Sequence, residues 1–357
     1  MNLPSYKQLE IKCLNSIFQD TTNSYKFYWF LSILDEVVIN GKTNISFHDL
    51  SLSMLSKVWY PLDYYKLSFG KQDGLKPIAQ FLNDILDIDN SVNSPLLENQ
   101  ITSKLGIEEQ NLLSNRIKSI IRWVPYRFIR PFYAKESSGL PDFKVNNFII
   151  ELSLKDSKTP SPYKLFPSHI EVNSLWIEYF HIHYNILKGF INWHLVRYLQ
   201  KHNPNVIGLS EKLEKPIKRD LTLAKTYWKQ YLVDIKSMNC IYSGIEVNAK
   251  NMSLDHFIPW SYVAHDKIWN IVPTLVNINS QKGNWLPSLE LYLESFLDIQ
   301  LKAYNYHKEN GNNKLLEDYL LLFQDSKESS FKQLLGNEIY SNIQIAKHLG
   351  FKEYFKF

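Results

Sequence analysis

The chain has little cysteine, no long apolar run and no excess of charge of one sign. Its two cysteines, Cys13 and Cys240, lie far apart among 357 residues, and no C-x-x-C pair occurs. This excludes a disulfide scaffold and a four-cysteine zinc site, and it is typical of proteins of a reducing cytosol. The longest apolar run, about residues 25 to 34, is too short to cross a bilayer, which takes about 20 residues.

The remaining composition indicates a packed globular protein. Net charge is 40 − 36 = +4, so there is no basic or acidic tail, and apolar residues make up 45% of the chain. A disordered chain would combine low hydrophobicity with high net charge. The first residues, MNLPSYKQLE, do not show the basic and then apolar profile of a signal peptide. We therefore expect a soluble, cytoplasmic protein with no membrane partner.

Apolar residues recur at helical spacing along most of the chain, which favours a mainly helical protein. A prior of about 150 residues per domain suggests about two domains. The change of pattern along the sequence favours three parts. We expect a mainly helical region for substrate or partner recognition, a small mixed unit, and a helical extension that packs on this unit, over residues 1–235, 236–288 and 289–357.

Two segments depart from the helical pattern. The runs FKV and FIIELSL, bounded by turn residues within 142–154, predict strand structure. The segment CIYSGIEVN, at 240–248, predicts a β-hairpin that turns at Ser243–Gly244.

The strongest motif follows that hairpin and reads MSLDHFIPWSYVAHDKIWNIVPTLVNINSQKGNWLP. Asp255 and His256 are adjacent, and Asn270 and Asn279 follow the histidine after 14 and 23 residues. Asn279 begins an N-x-x-K-G sequence whose lysine is Lys282. An Asp–His pair alone would be read as a capped turn with a surface histidine. The ordered set is more specific than that dipeptide.

This segment resembles the HNH endonuclease family, whose site is a ββα-metal fold of two antiparallel strands packed on a short helix. The closest resemblance is to the HNH domain of RNA-guided CRISPR effector nucleases, through the C-x-Y-S opening, D-H-x-x-P and N-x-x-K-G-N. It covers about 50 of the 357 residues, and the chain lacks the size and the companion nuclease core of a full effector. The predicted fold class is mainly α with a small embedded ββα-metal (HNH) unit, α+β overall.

The resemblance implies a role for each residue of the motif. His256 would activate water, a task that suits a side chain titrating near neutral pH. Asp255 and Asn279 would hold one Mg²⁺ or Mn²⁺ ion, with water and phosphate oxygens completing its coordination. Asn270 would fix the orientation of the histidine or the loop around it. Lys282 would reach the phosphate, or would only cap the end of its helix.

Many family members also carry C-x-x-C zinc pairs that staple the fold. In this chain Cys240 stands alone, and VNIN occupies the place of a second pair. No structural zinc is expected, so the helical flanks would have to stabilise the small unit.

A second candidate surface is rich in arginine. Only six of the 40 basic residues are arginine, and four of these fall within fifteen residues: Arg116, Arg122, Arg127 and Arg130. Aromatic residues are interleaved with them, and arginine beside aromatic rings suits phosphate contact and base stacking. These four residues are therefore candidates for nucleic-acid contact. The alternative is an aromatic stripe facing the core, with an ordinary solvated basic face.

The function implied by the resemblance is a metal-dependent endonuclease that cuts DNA and leaves 5′-phosphate and 3′-hydroxyl ends. One such site cuts one strand, so a double-strand break would need a homodimer or successive nicks. A partner defence subunit is the other expected protein partner. The large helical region suggests, by analogy, a microbial defence or restriction role, or a mobile-element enzyme. Two alternatives stay open: a nucleic-acid-binding HNH subunit that is active only within a complex, and an RNA-cleaving HNH nuclease.

Overall fold

The structure is a computed structural model, and it describes residues 2–86, 88, 94–155, 159–215, 219–320, 322, 330–353 and 355–357. Helix makes up 62% of it and strand 8%. The predicted fold class, mainly α with a small β-containing unit, is confirmed. The chain divides into two compact units, Met1–Pro204 with Lys212–Lys215, and Asn205–Glu211 with Pro216–Phe357.

The first unit combines helices with a small antiparallel sheet. Its helices are α1 (Ile11–Ser16), α2 (Tyr25–Val38), α3 (Phe47–Trp59), α4 (Leu75–Leu86), α5 (Ser94–Lys104), α6 (Ile107–Ile121), α7 (Val124–Ile129), α8 (Asp142–Leu154) and α9 (Ser174–His202). A π-helical turn, Tyr60–Tyr64, follows α3, and a 3₁₀ turn, Arg130–Tyr133, follows α7. Its strands, paired in the order β1-β3-β2, are β1 (Asn44–Ser46), β2 (Tyr163–Leu165) and β3 (His169–Val172).

Helix α2 lies at the centre of the first unit and packs against α3 and α9. Its residues are apolar on nearly every side, and Trp29, Phe30 and Ile33 are fully buried. A helix that is hydrophobic all round is a core helix. The apolar run seen in the sequence is therefore a buried helix of the core. Among the described residues, no helix combines the length and apolar character that crossing a membrane requires.

The strand prediction for 142–154 is wrong, because this segment forms helix α8. Val145, Ile149 and Ser153 are buried at intervals of four residues, which places them on one helical face. The aromatic and β-branched composition of FIIELSL favoured a strand. Helical spacing of the buried positions decided the structure.

The second unit contains two hairpins between helices. Its elements are α10 (Thr222–Ile235), β4 (Ser237–Asn239), β5 (Glu246–Asn248), β6 (Ser253–His256), α11 (Trp260–Val263), β7 (Ile271–Thr274), α12 (Val276–Lys282), α13 (Leu289–Glu309), α14 (Asn313–Leu320) and α15 (Phe331–Leu349). The chain also has 3₁₀ turns at Leu209–Lys212 and Ile268–Asn270.

The predicted hairpin at Ser243–Gly244 is confirmed, with a shift of its strands. β4 and β5 pair antiparallel, with Met238 opposite Val247. The first strand therefore precedes Cys240 instead of starting there. Gly244 has φ +71°, a conformation that a residue without a β-carbon adopts without strain.

One hydrophobic core joins the hairpins to the helices around them, from α10 through α15. Strand β7 is anchored from two helices, because the indole of Trp228 on α10 and the amide of Gln300 on α13 both donate to the carbonyl oxygen of Ile271, at 3.1 and 2.8 Å. Asp318 on α14 accepts from the backbone N–H of Ile268 at 3.0 Å. Helix α10 thus belongs to the second unit, whereas the sequence placed it in the region 1–235. The functional division into 1–235, 236–288 and 289–357 stays a prediction.

Candidate active site

Strands β6 and β7 and helix α12 form a compact ββα unit. β6 pairs antiparallel with β7, and Asp255 and His256 lie opposite Val272 and Ile271. Helix α12 packs against β6. Its buried residues Ile278 and Lys282 are four positions apart and so share the face that meets the strand.

The carboxylate of Asp255 is buried, at 2% exposure. The hydroxyl of Tyr242 donates to its Oδ2 at 2.6 Å, and the ammonium of Lys282 donates to its Oδ1 at 3.1 Å. Burial and the negative charge of Asp255 raise the pKa of Tyr242, so the phenol keeps its proton. Burial lowers the pKa of Lys282, while Asp255 acts in the opposite direction. Asp255 therefore accepts hydrogen bonds from a phenol and from the side-chain nitrogen of Lys282.

The imidazole of His256 is oriented by a second carboxylate. Its Nε2 lies 2.8 Å from Oδ1 of Asp266. Burial alone would raise the pKa of Asp266, but the hydrogen bond and the charge of His256 lower it overall. An ionised carboxylate only accepts hydrogen bonds, so the neutral imidazole carries its proton on Nε2. Nδ1 is then the nitrogen with a lone pair that can take a proton from water.

Asn270 fixes the backbone that follows the histidine. Its amide donates to the carbonyl oxygen of Ile258 and accepts from the N–H of the same residue, both at 2.8 Å. Its own carbonyl oxygen accepts from the N–H of Phe257 at 2.8 Å. Asn270 is fully buried. Of the two roles predicted for Asn270, these contacts favour the one in which it holds the loop around His256.

Comparison with protein families assigns this segment. Residues 240–288 match the family model for HNH endonuclease. The chain contains an HNH endonuclease domain. The predicted resemblance of this segment to the HNH endonuclease family is confirmed, and the closer likeness to CRISPR effector nucleases stays a prediction. No curated protein and no solved structure matches the chain.

The metal site that the HNH family implies can be tested on the orientation of Asn279. Its amide nitrogen donates to Oγ of Ser253 and to the carbonyl oxygen of Leu254, both at 2.9 Å. A backbone carbonyl only accepts hydrogen bonds, so this amide atom is the nitrogen and Oδ1 points elsewhere. Ser253 and Asp255 project from the same face of β6. A carboxylate and an amide oxygen are hard donors of the kind that Mg²⁺ or Mn²⁺ takes, so the residue types of Asp255 and Asn279 fit the ion, and their joint binding of it stays a prediction.

Lys282 stands beside these donors, inside the HNH domain. Its side chain is fully buried, and its ammonium also donates to the carbonyl oxygen of His256 at 2.7 Å. To contact a phosphate, as the resemblance implies, the side chain of Lys282 would have to give up its hydrogen bonds to Asp255 and His256. As placed, it balances the charge of Asp255. Within the described part of the chain, no group of three or more His, Cys, Asp or Glu side chains could hold a metal ion.

The geometry of strand β6 places the side chains of Asp255, the predicted metal ligand, and His256, the predicted base, on different faces. Neighbouring residues of a strand point to opposite faces. Asp255 points towards α12, where Asn279 and Lys282 lie, and His256 points towards Asp266. The predicted metal donors and the predicted base therefore flank β6 from its two sides.

Two contacts of this site were not predicted from the sequence. Asp266 lies ten residues after His256, and nothing in its local pattern distinguishes it from other loop carboxylates. His265 packs edge-on against Trp269 at 5.4 Å between ring centres. Burial, followed by the charge of His256, lowers the pKa of His265 to about 4. Tyr242 is part of the C-x-Y-S opening, so the motif did contain it, although without a role.

The arginines predicted to contact nucleic acid all lie in the first unit: Arg116, Arg122, Arg127 and Arg130. The guanidinium of Arg116 lies over Phe81, at 4.6 Å from the ring centre. Those of Arg122 and Arg127 both lie over Trp123, at 5.1 and 4.8 Å. Arg130 is half-buried in the 3₁₀ turn after α7. Their contact with nucleic acid stays a prediction.

Proposed function

We propose that the HNH domain is a metal-dependent endonuclease that hydrolyses DNA phosphodiester bonds with His256 as general base. The observation that carries this proposal is the 2.8 Å contact between Nε2 of His256 and Asp266. It leaves Nδ1 as the proton acceptor, on the strand whose other face presents Asp255. Family membership supports nuclease activity, and HNH nucleases typically use a divalent metal.

The chemistry follows from these positions. Nδ1 of His256 takes a proton from water, the water oxygen bonds to phosphorus, and the bond from phosphorus to O3′ breaks. The leaving oxygen takes a proton from solvent, which gives 5′-phosphate and 3′-hydroxyl ends. Asp266 stabilises the imidazolium that forms. A divalent cation held by Asp255 and Asn279 would neutralise charge on the phosphate oxygens.

A plasmid assay tests this proposal. Supercoiled DNA is incubated with the protein and Mg²⁺ or Mn²⁺, and nicked circles are expected first because one site cuts one strand. The variant His256→Ala should nick about 10²- to 10⁴-fold more slowly. His348→Ala, at an exposed position of α15, is the matched control and should retain the wild-type rate. Equal nicking by His256→Ala and wild type would refute the role of the histidine.

A second candidate is an HNH subunit that binds nucleic acid and becomes active only within a complex. Two observations favour it. Asp255 and His256 are only 2% and 4% exposed, and the carboxylate of Asp255 already accepts a hydrogen bond from Lys282. Plasmid that stays intact with wild type and His256→Ala alike, while a gel shift shows DNA binding, would support this candidate. Structured RNA run beside the plasmid tests the RNA-cleaving alternative.

We propose a cytoplasmic role in microbial defence or restriction, carried out with a second copy of the chain or with a partner subunit. The support is an analogy, since an HNH domain is here joined to a large helical region. Plating phage on bacteria that express the wild type or His256→Ala tests it. Fewer plaques on the wild-type strain alone are expected, and equal plaque numbers would argue against defence.

A further inference from the structure

A polar cavity of about 670 Å³ lies in the first unit, which does not contain the HNH domain. Its wall is formed by the loop that leads into α2, by α7, by the following 3₁₀ turn and by residues 137–140. Small-molecule sites have volumes of roughly 300 to 1,000 Å³. The cavity is therefore large enough for a ligand of nucleotide size, and a free phosphate ion would leave most of it empty.

Three cationic side chains from three different elements line this cavity. They are Lys26 in the first turn of α2, Arg127 on α7, and Arg130 in the 3₁₀ turn. Asp20 supplies the one carboxylate of the described lining. Within the described residues, neither Lys26 nor Arg127 forms an ion pair with a carboxylate. The wall therefore carries a net positive charge.

Electrostatics show that these cations are close enough to repel one another. Burial lowers the pKa of Lys26, and the charges of Arg127 and Arg130 lower it further, against the opposing effect of Asp20. The ammonium is held in place, because it donates to the carbonyl oxygens of Ile17 and Asp20, both at 3.0 Å. An anion in the cavity would relieve this repulsion.

The rest of the wall suits the other parts of such a ligand. Thr21, Thr22 and Ser138 line the cavity, and hydroxyl side chains can bond sugar or phosphate oxygens. Trp123 also lines the cavity, and the guanidinium of Arg127 lies over its ring at 4.8 Å from the centre, which holds this arginine at the wall. The planar guanidinium group of an arginine can donate two parallel hydrogen bonds to phosphate oxygens, and its charge is opposite to theirs.

We propose that this cavity binds a phosphorylated small molecule of nucleotide size, with Arg127 and Arg130 contacting its phosphates. The proposal assigns these two arginines to a soluble ligand and leaves Arg116 and Arg122 for the predicted contact with nucleic acid. It does not depend on the nuclease activity, so it stands or falls separately from the proposed function.

Calorimetry on the full chain tests the proposal. The probes are adenosine and guanosine triphosphates, pyrophosphate, adenosine without phosphate, and a single-stranded DNA 12-mer. A triphosphate should bind, pyrophosphate should bind more weakly, and adenosine alone should not bind. Arg127→Gln and Arg130→Gln should each weaken triphosphate binding at least tenfold, and Arg116→Gln should leave it unchanged. Binding of the 12-mer alone, of no probe, or equally by all variants would overturn the proposal.

A measurement on the wild-type chain keeps the test decisive if the variants fail to fold. Hydrogen–deuterium exchange is followed with and without the triphosphate. Slower exchange is expected in both segments that form the wall, residues 16–26 and 123–140. Unchanged exchange in these segments would contradict binding in this cavity.

Discussion

The carboxylate of Asp266 bears directly on how well His256 can act as a base. Asp266→Asn preserves the size of the side chain but removes the negative charge that stabilises an imidazolium. We expect single-turnover nicking to slow by at least about tenfold, within the range that general-base catalysis contributes. DNA binding in a gel shift should stay unchanged. An Asp266→Asn rate equal to that of wild type would mean that this contact has no part in the reaction.

The buried pair of Lys282 and Asp255 can be examined with a double-mutant cycle. Lys282→Met keeps most of the packing but leaves the Asp255 carboxylate without its cation. Removing one partner of a buried ion pair costs about 3 to 5 kcal/mol, and guanidinium unfolding should show a loss of this order. Lys282→Met combined with Asp255→Asn should be more stable than the single Lys282→Met variant. Simple additivity of the two changes would contradict direct coupling.

Lys212 gives the stability a dependence on pH. Burial lowers the pKa of Lys212 from 10.5 to about 7, so between these values the unfolded chain binds more protons than the folded chain. The free energy of unfolding therefore rises with pH in this range. One such group contributes about 2 kcal/mol between pH 7 and 9. In Lys212→Met, the free energy of unfolding measured by urea titration should rise less between pH 7 and 9 than in the wild type. The same dependence on pH in both proteins would contradict a lowered pKa of Lys212.

The sequence predicted the residues of the motif better than their contacts. Asp255, His256 and Asn279 were selected by type and spacing, and the ββα unit brings them to one strand and its neighbouring helix. Asp266 could not be selected, because its contact with the imidazole depends on the path of a loop. Lys282 was expected at a helix end, yet its position four residues after Ile278 makes it a member of the buried stripe.

Among the elements, the turn after β6 depends on Asn270. Asn270→Ala would leave the buried N–H and carbonyl of Ile258 without partners, and each unsatisfied group costs about 1 to 3 kcal/mol. We expect a loss of at least about 2 kcal/mol in chemical unfolding, together with slower nicking. Asn277→Ala, at an exposed position of α12, is the control and should change neither. Wild-type stability of Asn270→Ala would show that the two bonds are dispensable.

Helices were predicted more reliably than strands, for a physical reason. Long amphipathic segments such as α13 and α15 repeat their apolar spacing over several turns, so the pattern is redundant. The strands of the HNH domain have three or four residues each, too few for a period-2 pattern to show. For such short segments the prediction depends on residue composition. In α8 the composition favoured a strand, whereas the segment is a helix.

The fold of the second unit is expected to be stable without a bound metal ion. Its core is built from the HNH domain together with α10 and α13–α15, and Trp228 and Gln300 anchor β7 from two of these helices. Adding a chelator should stop nicking and leave the thermal unfolding midpoint unchanged. Circular dichroism during heating measures this. A lower midpoint after chelation, restored by zinc, would reveal a structural metal.

The division into two units was only partly accessible from the sequence. The length indicated about two domains, and the motif located the HNH domain. The limit between the units falls at residues 205–215, whereas the change of pattern placed it near 236. Helix α10 resembles the preceding helices in composition. Its membership of the second unit comes from contacts that its buried residues Trp228 and Tyr227 make with Ile271 and His307, which are distant in sequence.

The enclosed ammonium of Lys282 has a practical consequence. Acylating reagents modify amines only where solvent delivers them, so this lysine should resist labelling while α12 stays docked on β6. Its labelling rate, read by peptide mass spectrometry, would then report how often the Asp255 face opens. If DNA or a partner protein accelerates that labelling, the same agent is the one that exposes the face.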